Sequence, residues 1–530
     1  MNLNFRQWRE HWPAWLTVLL GAVFFLLFLD NKDFWESHQE SRRVVPALEI
    51  LRNNRWLIPT LNGEVFITKP PLYYWTLAAT FGITGWVSEW IARIPSVLAA
   101  TAGLGFIFGI ARKLWNKRAA HYAAIICATS GLYYHQARIA EIDMLLAAGT
   151  AASVYYMVSY TLQHRLRDAI GLAIATGIVA MTKGPVGLVF PAAALVGPLI
   201  FRRTGESRTG ASALWMLAGV LSLAGPWLIS ILLTEPSAVA TFQHEIRNNF
   251  TTTGYSRQPI YFYVGSLALF APWAVFLPGA LWRSWKDFRQ EDMIIWCWAI
   301  GGIVAFSLSG QKKHYYLLPL YPALALITGY WWDRNWDTFK TRWSTLPFGL
   351  LLSVLAVVAL ALPWLQSVTQ IPWHTALWLS LPLAVVVMWG FRIARGNAGK
   401  TLAAVAVGFV VITMFVATTV MPQWNSLRSH QSFFERIEST VGLQPLVFYK
   451  MHTFEGNYYL DRDIPKILEP ELIVEYARTA GRFIICHPAM ETEVRELLNV
   501  REVDRNVRLS TRPPHSPKGL VLFQTMAPAP

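Results

Sequence analysis

Apolar runs of roughly 17 to 25 residues, each long enough to cross a hydrocarbon core, recur from the amino terminus to about residue 420. Few folds accept such a chain. With 530 residues and 54% hydrophobic content it is too apolar and too long for one soluble domain, and belongs in a membrane. The runs fall near residues 12–29, 91–111, 119–136, 144–162, 169–182, 185–201, 212–233, 262–282, 293–309, 315–332, 346–364, 374–391 and 401–420, about thirteen expected spans. The first follows Arg6 and Arg9 with no small-residue cleavage site, so it is expected to stay in place as a signal anchor.

The formal net charge of +14 does not indicate a nucleic-acid partner. Basic residues lie between the apolar runs, not in one patch interleaved with aromatics. They collect at every second connection: "RKLWNKR" at 112–118, "RLR" at 165, "RRTGESR" at 202, then Arg283, Lys286 and Arg289, Arg334, Lys340 and Arg342, and Arg392, Arg395 and Lys400. Those connections are expected to face the cytoplasm. The long loop from Asp30 to Glu89, "HQARIAEID" at 135, the bend at Lys183, residues 234–261 and "SGQKKH" at 309 then face outward, as does the carboxyl-terminal segment. Cys127, Cys297 and Cys486 are far apart in sequence and suggest neither a disulfide framework nor a zinc cluster.

Within the first external loop, "HQESRRVVPALEILRNNRWLIPTLNG" places apolar residues at helical spacing around Val44, Val45, Leu48 and Leu51, as expected for a helix lying along the interface. "YYWTLAATFGITGW" suggests a second one, too short to cross. After residue 424 the pattern changes to short β-type runs, "LVFYK", "RFIICHP" and "GLVLFQT", alternating with helical patterns at 471–478 and 491–498. The expected fold is therefore an all-α polytopic membrane domain over residues 1–423, with interfacial helices in its first external loop. A small external α/β domain follows over 424–530.

Ionisable residues beside spans carry a functional hypothesis, because they need water, a partner or a ligand. Here they crowd the external side: Glu36, His38, Glu40, Arg42 and Arg43; Lys69; Arg138, Glu141 and Asp143; Lys183; His244, Glu245, Arg247 and Arg257; and Lys312 to Tyr316. Cations clamp a phosphate by charge-assisted hydrogen bonds, and a carboxylate accepts a proton from an attacking hydroxyl. Together they point to group transfer from a phospholipid-like donor, in which cations stabilise charge growing on the leaving phosphate. Each residue also has an ordinary structural reading. Lys69 before two prolines can snorkel, Glu40 beside two arginines can form a solvated ion pair, and Asp143 can cap a helix. Trp75 can belong to an aromatic belt and the histidines can be surface residues without metal-ligand spacing. Lys183, in "MTKGPVG", interrupts an apolar stretch at a Gly-Pro break with no obvious acidic partner nearby.

"WLIPTLNG" followed by "KPPLYYW", then "ARIAEIDMLL", "MTKGP", "RQPIYFY" and "KKHYYLLPLYPALAL", resembles the bacterial branch of the dolichyl-phosphate-mannose protein mannosyltransferase superfamily, which includes the lipid A aminoarabinose transferases. The resemblance covers about 420 residues in order. It implies a GT-C glycosyltransferase of the bacterial inner membrane, taking a sugar from undecaprenyl phosphate on the periplasmic face and passing it to lipid A, another glycan or a protein. It implies phosphate-binding roles for Lys69, Lys183 and Tyr316, to which the charge of Arg42 and Arg247 adds, and an acidic role for Asp143. The family's Asp-Glu pair of the first loop reads Gln39-Glu40 here, so either Glu40 or Asp143 is the base. An acid and a histidine proposed as metal ligands in the aminoarabinose transferases are replaced by Thr68 and Ile246. No metal or other cofactor is therefore expected. A lipid-linked sugar transporter and a family member without catalysis remain as alternatives, the first needing ionisable residues near the bilayer midplane.

Overall fold

The computed structural model describes residues 13–34, 40–200, 208–250, 259, 261–309, 312–335, 349, 398–509 and 517–526. It divides into two compact units, one of residues Met1–Asn31 and Ile67–Met421, the other of Lys32–Phe66 and Pro422–Pro530.

The first unit is helical. Among the described residues, six helical runs are long and apolar enough to cross a membrane, or seven if a pair bent by 110° around residues 271–272 counts as one span. The expected spans at 91–111 and 144–162 appear as Glu89–Leu114 and Ile142–Gln163. Those at 169–182 and 185–201 lie within one run, Leu166–Gly197, interrupted at Gly184, whose φ of +63° a side chain resists. The stretch 119–136 differs from expectation: Thr129 and Ser130 break it into helices Lys117–Ala128 and Gly131–Ala137. Expected spans at 346–364 and 374–391 fall almost wholly outside the described residues.

With lipid as apolar as any leucine, membrane helices associate through close packing, and small residues allow it. A Cβ added to Gly329 would sit 2.7 Å from the backbone nitrogen of Ala123, which shows how closely helix Tyr321–Arg334, buried from Tyr321 to Asp333, meets Lys117–Ala128. Gly149 brings Ile142–Gln163 against Val179 of helix Leu166–Lys183, and Gly302 brings Met293–Leu308 against Phe190.

The second unit holds a five-stranded mixed sheet. The short hairpin β1 (Thr60–Leu61) and β2 (Glu64–Val65) precedes it. β3 (Leu446–Tyr449) pairs in parallel with β4 (Lys466–Ile467) and β5 (Phe483–Cys486); β7 (Pro517–Thr525) runs antiparallel to β5 and to β6 (Val500–Leu509), giving the order β4-β3-β5-β7-β6. Helices at Gln431–Val441, Pro470–Ala477 and Glu491–Leu497 accompany it. Two buried apolar clusters, one around Phe434 and Phe448 and one around Ile473 and Phe523, form its core.

The first-loop helix departs from expectation. Glu40–Asn53 is not exposed along one side as a helix resting on lipid would be: Glu40, Ser41, Arg43 and Glu49 are buried together with Val44 to Ile50. It packs against Phe454–Tyr459 within the second unit. The second predicted helix forms as Leu72–Thr84, opening directly after Pro71. At 13 residues, or about 20 Å, it is too short to cross.

Candidate functional site

Two helix ends of the first unit bring opposite charges together. Asp143 lies in the first turn of Ile142–Gln163, after an N-terminal cap in which the Glu141 carboxylate accepts from the Ile142 backbone N–H at 3.1 Å. Lys183 is the last residue of Leu166–Lys183. A carboxylate at a helix N-terminus and an ammonium at a C-terminus each oppose the local helix dipole. The lysine Nζ donates to Asp143 Oδ1 at 2.5 Å, with side-chain exposures of only 10% and 4%. Asp143 is thus the acidic partner that Lys183 lacked in the sequence, 40 residues upstream. The cap expected of Asp143 is supplied by Glu141 instead, and Asp143 forms the ion pair, a role compatible with that of a carboxylate base.

The same ammonium lies 4.5 Å from the ring centroid of Tyr316, on the 3-10 turn His314–Leu320. That turn packs against Ile142–Gln163, so one contact network holds Asp143, Lys183 and Tyr316. Beside it, His314 stacks on Phe262 at 4.5 Å and its Nδ1 is 2.7 Å from the Ser266 hydroxyl.

The "KPP" and "KGP" motifs adjoin. A Cβ placed on Gly184 would lie 4.0 Å from Pro70 Cγ. Lys69 donates to Glu245 Oε2 at 3.1 Å, both side chains being part-exposed. Glu245 was recognisable in sequence only as one of several external acids. Its pairing depends on helix Ala238–Phe250, whose "HEIR" pattern carries no sign of Lys69, 176 residues away. Arg247, two residues on, is exposed and leaves the helix on another face, since i and i+2 do not share one. Tyr73 and Tyr74 are buried, and the Tyr73 hydroxyl meets Ser96 Oγ at 3.1 Å, which braces the start of the helix.

Arg138 has a role the sequence did not disclose. Its guanidinium donates to the carbonyls of Phe25 and Phe28 at 2.7 Å and to that of Leu27, and buried Arg93 donates to Leu29 at 2.8 Å. The carbonyls left open where the first helix ends are thereby satisfied.

Glu40 and Arg42 belong to the second unit. Glu40 is fully buried and accepts from Lys32 Nζ at 3.2 Å, so the ion pair it forms is not a solvated one. The Arg42 guanidinium carbon lies 5.3 Å from the Phe66 ring centroid. Glu36, His38, Gln39 and Arg257 lie outside the described residues.

Among the described residues no group of three or more His, Cys, Asp or Glu side chains is placed to hold a metal ion. His244, next to Glu245, is exposed.

A family model described as dolichyl-phosphate-mannose-protein mannosyltransferase matches residues 68–229. The undecaprenyl phosphate-alpha-4-amino-4-deoxy-L-arabinose arabinosyl transferase 1 of Pseudomonas fluorescens is 30% identical over 399 residues, covering 73% of this chain and 69% of its own. The corresponding transferase of Erwinia tasmaniensis is 27% identical, covering 66% of each. Among solved structures, ArnT from Cupriavidus metallidurans bound to undecaprenyl phosphate superposes with a TM-score of 0.78 at 20% identity, over 97% of this chain and 98% of that one. The archaeal oligosaccharyltransferase AglB from Archaeoglobus fulgidus gives 0.51 at 12% identity, over 92% and 71%. Both likenesses show a shared fold.

Proposed function

The chain belongs to the GT-C glycosyltransferases, in the family of the undecaprenyl phosphate-linked aminoarabinose transferases, and from that premise we propose that it moves a sugar from undecaprenyl phosphate to lipid A by direct displacement at the residues around Lys183. It is a multi-pass membrane enzyme. The reading extends to about thirteen spans, an active site facing the periplasm, a membrane domain over 1–423 and a periplasmic domain over 424–530.

One observation supports the site above others: the contact network of Asp143, Lys183 and Tyr316 adjoins the Lys69 motif. The acceptor oxygen bonds to the anomeric carbon as the bond from that carbon to the phosphate oxygen breaks. Undecaprenyl phosphate departs with the electron pair. Lys69 and Lys183 stabilise the added negative charge on it, aided by the Tyr316 hydroxyl, more than they stabilise the intact donor. If the acceptor is a hydroxyl, its proton passes to Asp143 or Glu40. Both carboxylates are held beside an ammonium.

Asp143 sits in the first turn of its span, away from the midplane where a transporter would place its ionisable residues. Lys69→Ala in detergent-solubilised full-length protein is expected to lower transfer from the undecaprenyl-phosphate donor about 100-fold or more, with folding retained. Transfer within about twofold of wild type would remove Lys69 from the reaction. Glu40→Gln and Asp143→Asn, compared in the same assay, assign the base, and unchanged rates in both would eliminate the carboxylate step.

A further inference from the structure

We propose that Asn62 is a positioning residue that sets Glu40 for proton transfer, by fixing the far end of the helix on which Glu40 stands. The proposal rests on the reading of Glu40 as proton acceptor and stays within the second unit.

Glu40 is the first residue of helix Glu40–Asn53, and Glu49 stands near its other end. The Glu49 carboxylate accepts from the backbone N–H of Asn62 at 2.6 Å, from that of Gly63 at 3.3 Å, and from the Thr60 hydroxyl. These three donors belong to the β1–β2 hairpin, whose Asn-Gly turn has φ of +56° and +78°, the conformation this dipeptide favours. Hairpin and helix therefore form one piece. Asn62 then fastens it: its side-chain oxygen accepts from the Ile464 N–H at 2.7 Å and from Asn457 Nδ2 at 2.6 Å, while its Nδ2 donates to the Ile464 carbonyl at 3.0 Å. Ahead of the helix, Asp33 and Asn425 exchange hydrogen bonds, the Asp33 N–H donating at 3.2 Å and Asn425 Nδ2 donating to Oδ1 at 2.9 Å. The helix is held from residues 422–464 both before its start and after its end.

Leverage makes the far attachment matter. Nine residues of helix separate Glu40 from Glu49, about 13 Å, so a tilt of about 5° displaces Glu40 by about 1 Å. A misplacement of that size costs up to about 100-fold in rate.

The test uses the full-length protein with undecaprenyl-phosphate-linked aminoarabinose as donor and lipid A as acceptor. Asn62→Gly removes the side chain but keeps a residue at ease with positive φ. It is expected to lower kcat about tenfold or more while KM for the donor stays within about twofold. Asn62→Asp retains the accepting oxygen but sets its second oxygen against the Ile464 carbonyl, and is expected to recover only part of the loss. Asn457→Ala, which leaves the hairpin untouched, is expected to show the same split at smaller size, and decides alone if Asn62→Gly does not fold. A purely structural role would lower the folded yield with kcat per folded molecule unchanged, and that result overturns the proposal. If Glu40→Gln is impaired and Asn62→Gly is not, the positioning inference falls while the base reading stands. If Glu40→Gln transfers at the wild-type rate, the base reading falls and takes the inference with it.

Discussion

Lys183–Asp143 in the first unit and Arg52–Asp461 in the second are ion pairs of nearly equal length, 2.5 and 2.6 Å. Their surroundings differ. The first is almost wholly enclosed, whereas the Asp461 side chain is 76% exposed. Distance alone says little about what such a pair contributes. In the enclosed pair each charge depends on the other, because neither can turn to water; in the open pair water replaces either partner. The enclosed pair is also the one at the proposed chemistry.

The sharpest way to break this contrast is Asp143→Ala. It leaves the Lys183 ammonium buried and uncompensated, and a stability loss of about 3–5 kcal/mol is expected together with loss of transfer. Thermal unfolding of the solubilised protein measures the first and donor turnover the second. Removing both charges in Asp143→Ala/Lys183→Met is expected to restore most of the stability and none of the activity. If stability and activity return together, the pair is structural and the site lies elsewhere. If the single variant is as stable as wild type, the enclosure described here does not act on the lysine.

The two pairs also mark how far sequence reasoning reaches. Lys183 stood out because an ammonium inside an apolar stretch violates the local pattern, and hydropathy detects that without knowing the partner. Glu40 was less legible. In sequence it is a glutamate beside two arginines on an amphipathic helix; in the structure it is fully buried, on a helix that packs against Phe454–Tyr459 of the carboxyl-terminal segment. Periodicity reveals that one face of a helix is apolar, and cannot reveal that the polar face is covered too. The tail shows the same limit from the other side. Short continuous apolar runs marked β3, β5 and β7, while "VREVDRNVRL", dense in charge, formed β6 at the sheet edge, where charged side chains are accommodated and discourage pairing with another chain.

An intermediate effect is expected from His452 in the second unit. Burial pushes its imidazole down to about 4 from 6.5, and the Lys466 charge pushes the same way, against a hydrogen bond with Asn457. Between those two values the unfolded chain binds a proton that the folded one refuses, so this contribution is complete above 6.5 and is lost as pH falls toward 4. Glu49 has the opposite sign: burial raises its carboxyl above 4.5, so mild acid favours the folded form there. The two are separated by His452→Phe. Hydrogen exchange of β3 and β5 in the full-length protein, corrected for intrinsic rates, is expected to accelerate from pH 7 to pH 5 in wild type and to respond less in the variant. An equal response in both removes His452 as the cause.

Arg52→Ala is expected to have the smallest effect of the series. Arg52 donates to the Asp461 carboxylate and to its carbonyl at 3.0 Å, and approaches Asp463 at 3.7 Å, so by contact geometry it ties helix Glu40–Asn53 more richly than Lys183 ties its neighbours. Yet the arginine is itself about one-third exposed, and both aspartates are open to solvent. Exposed pairs contribute about 0–1 kcal/mol, and salt screens them. The variant should therefore melt within about 1 kcal/mol of wild type, and raising the salt concentration should erase the difference. Turnover should be unaffected, because Asn62 and Asn425 still hold the helix beyond both ends. A drop in kcat like that expected of Asn62→Gly would show that helix position depends on the solvent-facing contact as well, and that burial is not what separates the two pairs.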